Sequence, residues 1–275
     1  MPWPILYEEE KRSQHPYYKA MRKCMNYDDY FDEEKVRKAT SAYFGLCSFL
    51  DHNIGIVLSA LENSEFSDET NIIYTSDHGD ALGMRGMWGK STMFEESAGV
   101  PMIIKGPNVP KSKKSKTPVS LVDIFPTVID SLKLVENPID NNLPGMSLLK
   151  ISNEKDDYER IVLSEYHAAA SPVGAFMLRK GKYKYVYFAE GYSSQLFNLE
   201  EDQYEENDLA LDLNYKAILK DFYGHLIKIC DPEEVNKRAK TEQLETIEKH
   251  GGVEIIMGRG DFGYSPAPGQ KPEFD

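Results

Sequence analysis

Asn71-Ile-Ile-Tyr-Thr-Ser-Asp-His-Gly-Asp80 decides how this chain is read. A short β-branched run, Asn71 to Ser76, is bounded by turn formers and predicts a buried strand. An acid and an imidazole, Asp77 and His78, follow directly at the carboxyl end of that strand. In open α/β sheets this is where ligands bind. Asp77 offers a hard anionic oxygen and His78 a neutral nitrogen. Gly79 permits the bend that would turn both toward one cation. Two ligands are too few to prove a metal site, so an Asp cap beside a surface His remains the equal alternative on spacing alone. Gly83, Gly86 and Gly89 mark an irregular loop, which carries Arg85 and then Lys90. A lysine here can neutralise charge developing on a transferred oxyanion group. Alone, either cation would be an ordinary solvated side chain.

Working outward, Val36, Ala39, Tyr43, Leu46, Leu50, Ile54, Val57 and Leu61 recur at three- and four-residue steps. They predict one face of a long helix from Glu33, capped by Asp32 or an earlier polar residue. Val100 to Lys105 predicts a second buried strand. Ser120 to Leu132 predicts a helix with Leu121, Ile124, Phe125, Val128, Ile129 and Leu132 on one face. Helix, strand and strand in this order predict a mixed or parallel sheet covered by helices. From Ile161 the pattern becomes antiparallel. Four short strands near 161–165, 175–179, 183–188 and 195–198 have Gly181 and Gly191 in their turns. Helices near 207–229 and 232–250 follow, and 251–275 reads as a surface tail. The expected division is 1–150, part of an α/β catalytic domain; 151–230, a small antiparallel subdomain; and 231–275, a helix and extended tail.

The chain has 275 residues, 28% of them charged, with a formal net charge of −13. Such acidity makes it a poor general binder of nucleic acid or anionic membrane. No stretch approaches the roughly 20 apolar residues expected of a membrane helix. The first residues lack the basic and apolar regions of a signal peptide, which favours a cytoplasmic location. Cys24, Cys47 and Cys230 are odd in number and widely spaced, which argues for reduced, partly buried thiols rather than a disulfide framework or a cysteine zinc site. Four lysines between Lys111 and Lys116 read as a solvated loop.

The segment Ile72 to Ile104 resembles the second signature region of the sulfatases: an apolar strand, then S-D-H-G-D, L-G, R-G-x-W-x-K, F-E-x-S and V-P-hydrophobic. The likeness extends from about residue 15 to 230, through Ala42–Gly55, Leu121–Thr127, Met177–Tyr185, Gln195–Leu199 and Asn207–Ala210. Its style is nearest that of choline-sulfatase-like enzymes. The resemblance implies an α/β fold: an alkaline-phosphatase-like sheet with helices on both faces, present in part, plus a small C-terminal antiparallel sheet with a packed helix. It implies a sulfuric ester hydrolase acting on a small-molecule sulfate ester. Asp77 and His78 would bind a divalent cation, calcium first, with magnesium or manganese as alternatives. Lys90 would contact the sulfate, with Arg85 as a weaker substrate-binding candidate. The family's nucleophile is a formylglycine made from the Cys or Ser of a C/S-x-P-x-R motif.

That motif is absent from the 275 residues. The nearest stretch, Cys230-Asp-Pro-Glu-Glu234, lacks the Arg. An N-terminal Asp-Asp ligand pair on a first strand is also absent, His15 does not match the family's catalytic His, and Gly99 stands where Arg is usual. The expectation is therefore a C-terminal half without its nucleophile, silent alone, that pairs with a complementing N-terminal half or forms a homo-oligomer. The alternatives are a phosphonate or phosphodiester hydrolase of the same superfamily, and a non-catalytic metal-binding or interaction protein.

Overall fold

A computed structural model describes residues 1–135, 137–140 and 142–259. In chain order the helices are α1 (Pro16–Cys24), α2 (Tyr27–Tyr30), α3 (Glu33–Glu62), α4 (Glu95–Ala98), α5 (Ile124–Ser131), α6 (Leu148–Asn153), α7 (Lys216–Ile229), α8 (Pro232–Lys249) and α9 (Val253–Gly258). The strands are β1 (Ile72–Thr75), β2 (Met102–Lys105), β3 (Ile161–Tyr166), β4 (Ala175–Lys180), β5 (Tyr183–Phe188) and β6 (Gln195–Asn198). The helix expected over 207–229 is α-helical only from Lys216, since Asp208 and Asp212 each cap a 3-10 turn before it. Of the expected tail, 253–258 is helical, and 260–275 lies outside the described residues.

The centre of the molecule is the antiparallel sheet β3-β4-β5-β6. Gly181, at φ 51°, makes the tight β4–β5 turn that lets Lys180 pair with Tyr183. Strand periodicity then assigns the faces. Ala175 and Met177 of β4 and Val186 and Phe188 of β5 point one way, onto Tyr17, Tyr18 and Met21 of α1 and Phe94 of the site loop. Phe176, Leu178 and Tyr185 point the other way, onto Phe222 and Leu226 of α7. Both faces are thus covered, and for this reason β4 reads as nearly continuous apolar sequence rather than as an alternation. The expected small antiparallel sheet with a packed helix is this assembly.

α1 is pinned by its cap. His15 Nδ1 accepts from Tyr17 N at 3.3 Å, and its Nε2–H reaches Ser193 O at 2.8 Å and Ser193 Oγ at 3.0 Å. Burial, offset in part by the Ser193 carbonyl and Asp208, lowers the imidazole pKa below its ordinary value. A buried ion pair closes the region between α5 and β3. Asp123, fully buried, accepts from Arg160 at 2.6 and 3.0 Å and from the backbone of Ser120 and Met146, both at 2.8 Å.

The other part of the molecule differs from expectation. β1 and β2 pair antiparallel, Ile72 opposite Lys105 and Thr75 opposite Met102, rather than in a parallel or mixed sheet. The 26 intervening residues do not form a crossover helix longer than one turn, and a right-handed parallel connection needs such an element. α3 has its expected length, and Asp32 caps it through Lys35 N at 2.8 Å. Its apolar face is not buried: of its residues only Val36 and Thr40 are. Contrary to the sequence reading, α3 is long and apolar enough by length and composition to cross a membrane. The Asp51-His52-Asn53 interruption hides this from a search for unbroken apolar runs. α5 is likewise inverted, with Thr127 buried and Phe125, Val128 and Leu132 exposed. Cys24 and Cys47 are exposed and Cys230 is half-buried, all three free.

Candidate functional site

β1 ends at Thr75, and the chain bends at once. Asp77 Oδ1 accepts from His78 N at 3.0 Å, and Ser76 Oγ donates to His78 O at 2.8 Å. Gly79 then runs against α4: its N–H donates to Ser97 O at 2.8 Å, and a Cβ there would stand 2.2 Å from Glu96 O. Only glycine permits that approach, so position 79 sets the distance between the β1 end and α4.

His78 Nδ1 lies 2.8 Å from Gly79 O. A carbonyl only accepts, so Nδ1 carries the proton and Nε2 is left with its lone pair. Lys90 Nζ donates to that Nε2 at 2.8 Å. Asp77 Oδ2 is 3.4 Å from the same nitrogen. Desolvation is the largest single influence on the Asp77 carboxyl and raises it, but His78, two backbone N–H groups and Lys90 together outweigh it, and the pKa lies below the ordinary value. A carboxylate oxygen, an imidazole nitrogen and the ammonium that bonds it therefore converge at one strand end, and Asp77, His78 and Lys90 lie together.

The loop delivering Lys90 is coiled by left-handed residues: Leu82, Gly83, Arg85, Gly86 and Gly89 all have φ between 46° and 87°. Ala81 N bonds Gly89 O at 2.6 Å, which closes the loop. Trp88 stacks on Phe31 with centroids 3.9 Å apart, and Tyr27 Oη donates to Trp88 O at 2.7 Å. Ser91, immediately after Lys90, sits at φ 91°, which side-chain-bearing residues rarely adopt.

Asp77, His78 and Lys90 line a cavity of ≈ 540 Å³ together with Glu95, Tyr166 and Arg179. The last three were not among the predicted residues. Arg179 shares a β4 face with Met177, so strand periodicity after Ala175 was the signal that could have found it. Burial lowers its guanidinium pKa, while Glu95, Glu200 and Glu205 hold the charge. Behind the cavity, Lys184 is fully buried, 2.9 Å from Glu95 Oε1 and 2.8 Å from Glu205 Oε1. Glu205 Oε2 accepts from Glu95 N at 2.7 Å, and burial raises the Glu205 pKa. This triad ties the sheet to the first residue of α4.

Arg85, the weaker substrate-binding candidate, does not line this cavity. Its side chain is buried, paired with Glu96 and with Tyr204 O, and stacked 4.1 Å over Phe94. The left-handed backbone at Arg85 turns it inward, where it clamps the loop to α4. His15 does not line this cavity.

Among the described residues no group of three or more His, Cys, Asp or Glu converges in a way that could hold a metal. The pair present still suits one: a hard carboxylate oxygen and an imidazole oriented by a backbone carbonyl are ordinary donors to a divalent cation, which would take the place of the Lys90 hydrogen bond on Nε2. They supply two of the roughly six or more ligands that such an ion takes.

Residues 8–134 match the family model described as Sulfatase, and residues 83–232 match that described as N-sulphoglucosamine sulphohydrolase, C-terminal. Arylsulfatase K of Danio rerio is 33% identical over 235 residues, covering 82% of this chain and 44% of the relative. Choline-sulfatase of Rhizobium meliloti (strain 1021) is 38% identical over 207 residues, covering 74% and 39%. The chain spans less than half the length of these curated relatives. A crystal structure of a sulfatase-class protein from Bacteroides thetaiotaomicron VPI-5482 superposes with a TM-score of 0.69 at 25% identity, over 87% of this chain and 53% of that one. Phosphonate monoester hydrolase of Agrobacterium radiobacter gives 0.61 at 27% identity, over 73% and 43%.

Proposed function

The chain belongs to the sulfatase family, and from that premise we propose that it contributes the cation- and sulfate-facing half of a sulfuric ester hydrolase. The observation that carries this reading is the convergence of Asp77, His78 Nε2 and the Lys90 ammonium in one cavity at the end of β1. Asp77 and His78 would hold a divalent cation, calcium first, which supplies Lewis acidity and charge neutralisation when bound. Lys90 places a positive charge within hydrogen-bond reach of the same point, where negative charge grows on the sulfuryl oxygens. Arg179 adds a second cation to the wall, which favours an anionic ester in a chain whose net charge is −13. Gly79 O holds the Nδ1 proton of His78, so Nε2 is the ring's acceptor, and a cation bound there would replace its hydrogen bond from Lys90.

The nucleophile is not among these 275 residues, since no C/S-x-P-x-R occurs in them. In this reading an activated nucleophile reaches the cavity from a complementing sulfatase segment. The experiment is calorimetric titration of the 275-residue chain with calcium, magnesium and manganese, beside an assay on an aryl sulfate. Weak binding that Asp77→Asn abolishes, with no turnover by the chain alone, is the expected result. Metal-dependent turnover by this chain alone overturns it.

The likeness to a phosphonate monoester hydrolase supports a second reading, in which the transferred group is phosphoryl. Turnover of an aryl phosphonate in preference to the sulfate, once the nucleophile segment is supplied, would select it. Cation binding with no turnover of either ester, segment supplied, would select the non-catalytic alternative.

A further inference from the structure

We propose that a second cavity, between the segment before α1 and the β6 strand, is a binding site for a small organic cation with a primary ammonium head and a short apolar body. It is separate from the cavity of Asp77, His78 and Lys90, and its assignment does not depend on the hydrolase reading.

This cavity, of ≈ 570 Å³, is walled by residues 10–16 on one side and by β6 and the segment after it on the other. Its size suits a small molecule. The floor is apolar, formed by the buried rings of Phe94 and Phe197 with centroids 6.3 Å apart. Leu6 and the exposed Leu211 lie on its rim.

Gln195 identifies the head group. It stands opposite Val186, so it shares the α1 face of the sheet with Val186 and Phe197. The other polar residues on that face have partners. Lys184 meets Glu95 and Glu205, and Arg179 donates to Tyr183 O at 3.0 Å. Gln195 is only 5% exposed, yet its Oε1 has no hydrogen-bond partner among the described residues. Such an acceptor costs about 1–3 kcal/mol while unmade. Its presence on an apolar face points to a donor that enters from outside the chain.

The charge of the walls agrees. Glu10, Glu206 and Asp208 line the cavity, and none of them is in an ion pair among the described residues. Of the lining cations, Arg12 is held by Asp28 and Arg85 by Glu96, which leaves Lys11. Asp208 Oδ1 accepts from Leu196 N at 3.1 Å and Ala210 N at 3.0 Å, so this carboxylate is fixed beside the head of β6. A surplus of carboxylates and an orphaned acceptor both select a cation that donates N–H. A quaternary ammonium has no proton for Gln195, and Arg85 already occupies the face of Phe94. A metal ion fits less well, because no group of three acidic, His or Cys side chains converges among the described residues.

The test titrates n-butylammonium, tetramethylammonium, butyrate and calcium into the 15N-labelled 275-residue chain, with amide shifts as the readout. Saturable shifts from n-butylammonium are expected in 10–16 and 193–208 and in the Gln195 side-chain amide. Gln195→Leu should weaken that binding by about tenfold or more. The same variant removes an unpartnered buried acceptor, so its urea midpoint should be unchanged or higher. Asp208→Asn, which keeps an oxygen for the turn, should weaken binding too, and the exposed Glu206→Gln by less, up to about fivefold. No saturable shift from n-butylammonium overturns the proposal, as does equal or tighter binding of tetramethylammonium, calcium or butyrate at these residues. Unchanged binding by both Gln195→Leu and Asp208→Asn also overturns it, and a lowered urea midpoint in Gln195→Leu shows that Gln195 serves the fold instead.

Discussion

The β3–β6 sheet and the β1–β2 ribbon are both antiparallel and both built from short β-branched and aromatic runs, yet one is closed and the other open. The sheet has α1 on one face and α7 on the other, with Phe176 and Phe188 fully buried. The ribbon has two strands, and Tyr74 and Ile103 face solvent beside a helix with almost no buried residue. The difference teaches that local pattern specifies an element, whereas burial depends on what else is present to pack against it.

The largest effect that would break this comparison lies in the closed region. Phe176→Ala should cost about 3–5 kcal/mol, the range for deleting a large buried ring. Urea unfolding followed by tyrosine fluorescence measures it, and a cost below about 1 kcal/mol would mean that the sheet is not a packed core. Lys184→Ala should cost a similar amount, about 3–5 kcal/mol, because it strands the buried Glu205 carboxylate. Lys184→Met, which fills the space, should be milder if Glu205 takes up a proton, and calorimetry of the pair distinguishes charge from packing.

At the junction of the two regions, Lys90→Ala should lower kcat of the reconstituted hydrolase by on the order of 10²–10³. An unchanged rate would make Lys90 an ordinary surface lysine. A smaller effect concerns α1. The folded-state pKa of His15 is lowered, so the neutral ring is the one the fold favours. Its contribution is fully present above the ordinary value of 6.5 and is lost as pH falls from there through the folded pKa. Hydrogen exchange of 16–24 should accelerate below that pH, and His15→Asn, which keeps a capping acceptor, should flatten the dependence. The smallest effect is in the open region: Phe49→Ala in the chain alone should change stability by no more than about 0.5 kcal/mol. A cost of several kcal/mol there would show that α3 is already packed in solution.

Most elements were legible in the sequence because each carries a local signature. Asp32 caps α3, β-branched residues mark β1, and Gly181 sits in the β4–β5 turn. That Asp77 and His78 lie together was legible from their adjacency, and that Lys90 lies beside them from the resemblance of Ile72 to Ile104 to the sulfatase signature. The placement of Arg85 was not legible: its sequence neighbourhood resembles that of Lys90, and only its left-handed backbone turns it toward Glu96. The antiparallel pairing of β1 with β2 and the exposure of the α3 face were out of reach, because both depend on distant or external partners rather than on spacing. Lys184 was hidden for a related reason. It occupies an inward position of β5, and nothing local reveals that Glu95 and Glu205 meet it there.

The clearance at Gly79 has a consequence for genetics. A β-carbon there would meet the Glu96 carbonyl oxygen at 2.2 Å, so even alanine pushes the β1 end away from α4. In a random-mutagenesis screen scored on turnover, position 79 would return as null alleles beside Asp77 and His78, although it donates no side-chain atom to anything. Suppressors of such an allele should fall within 95–99, where the backbone can retreat, and not at Asp77, His78 or Lys90.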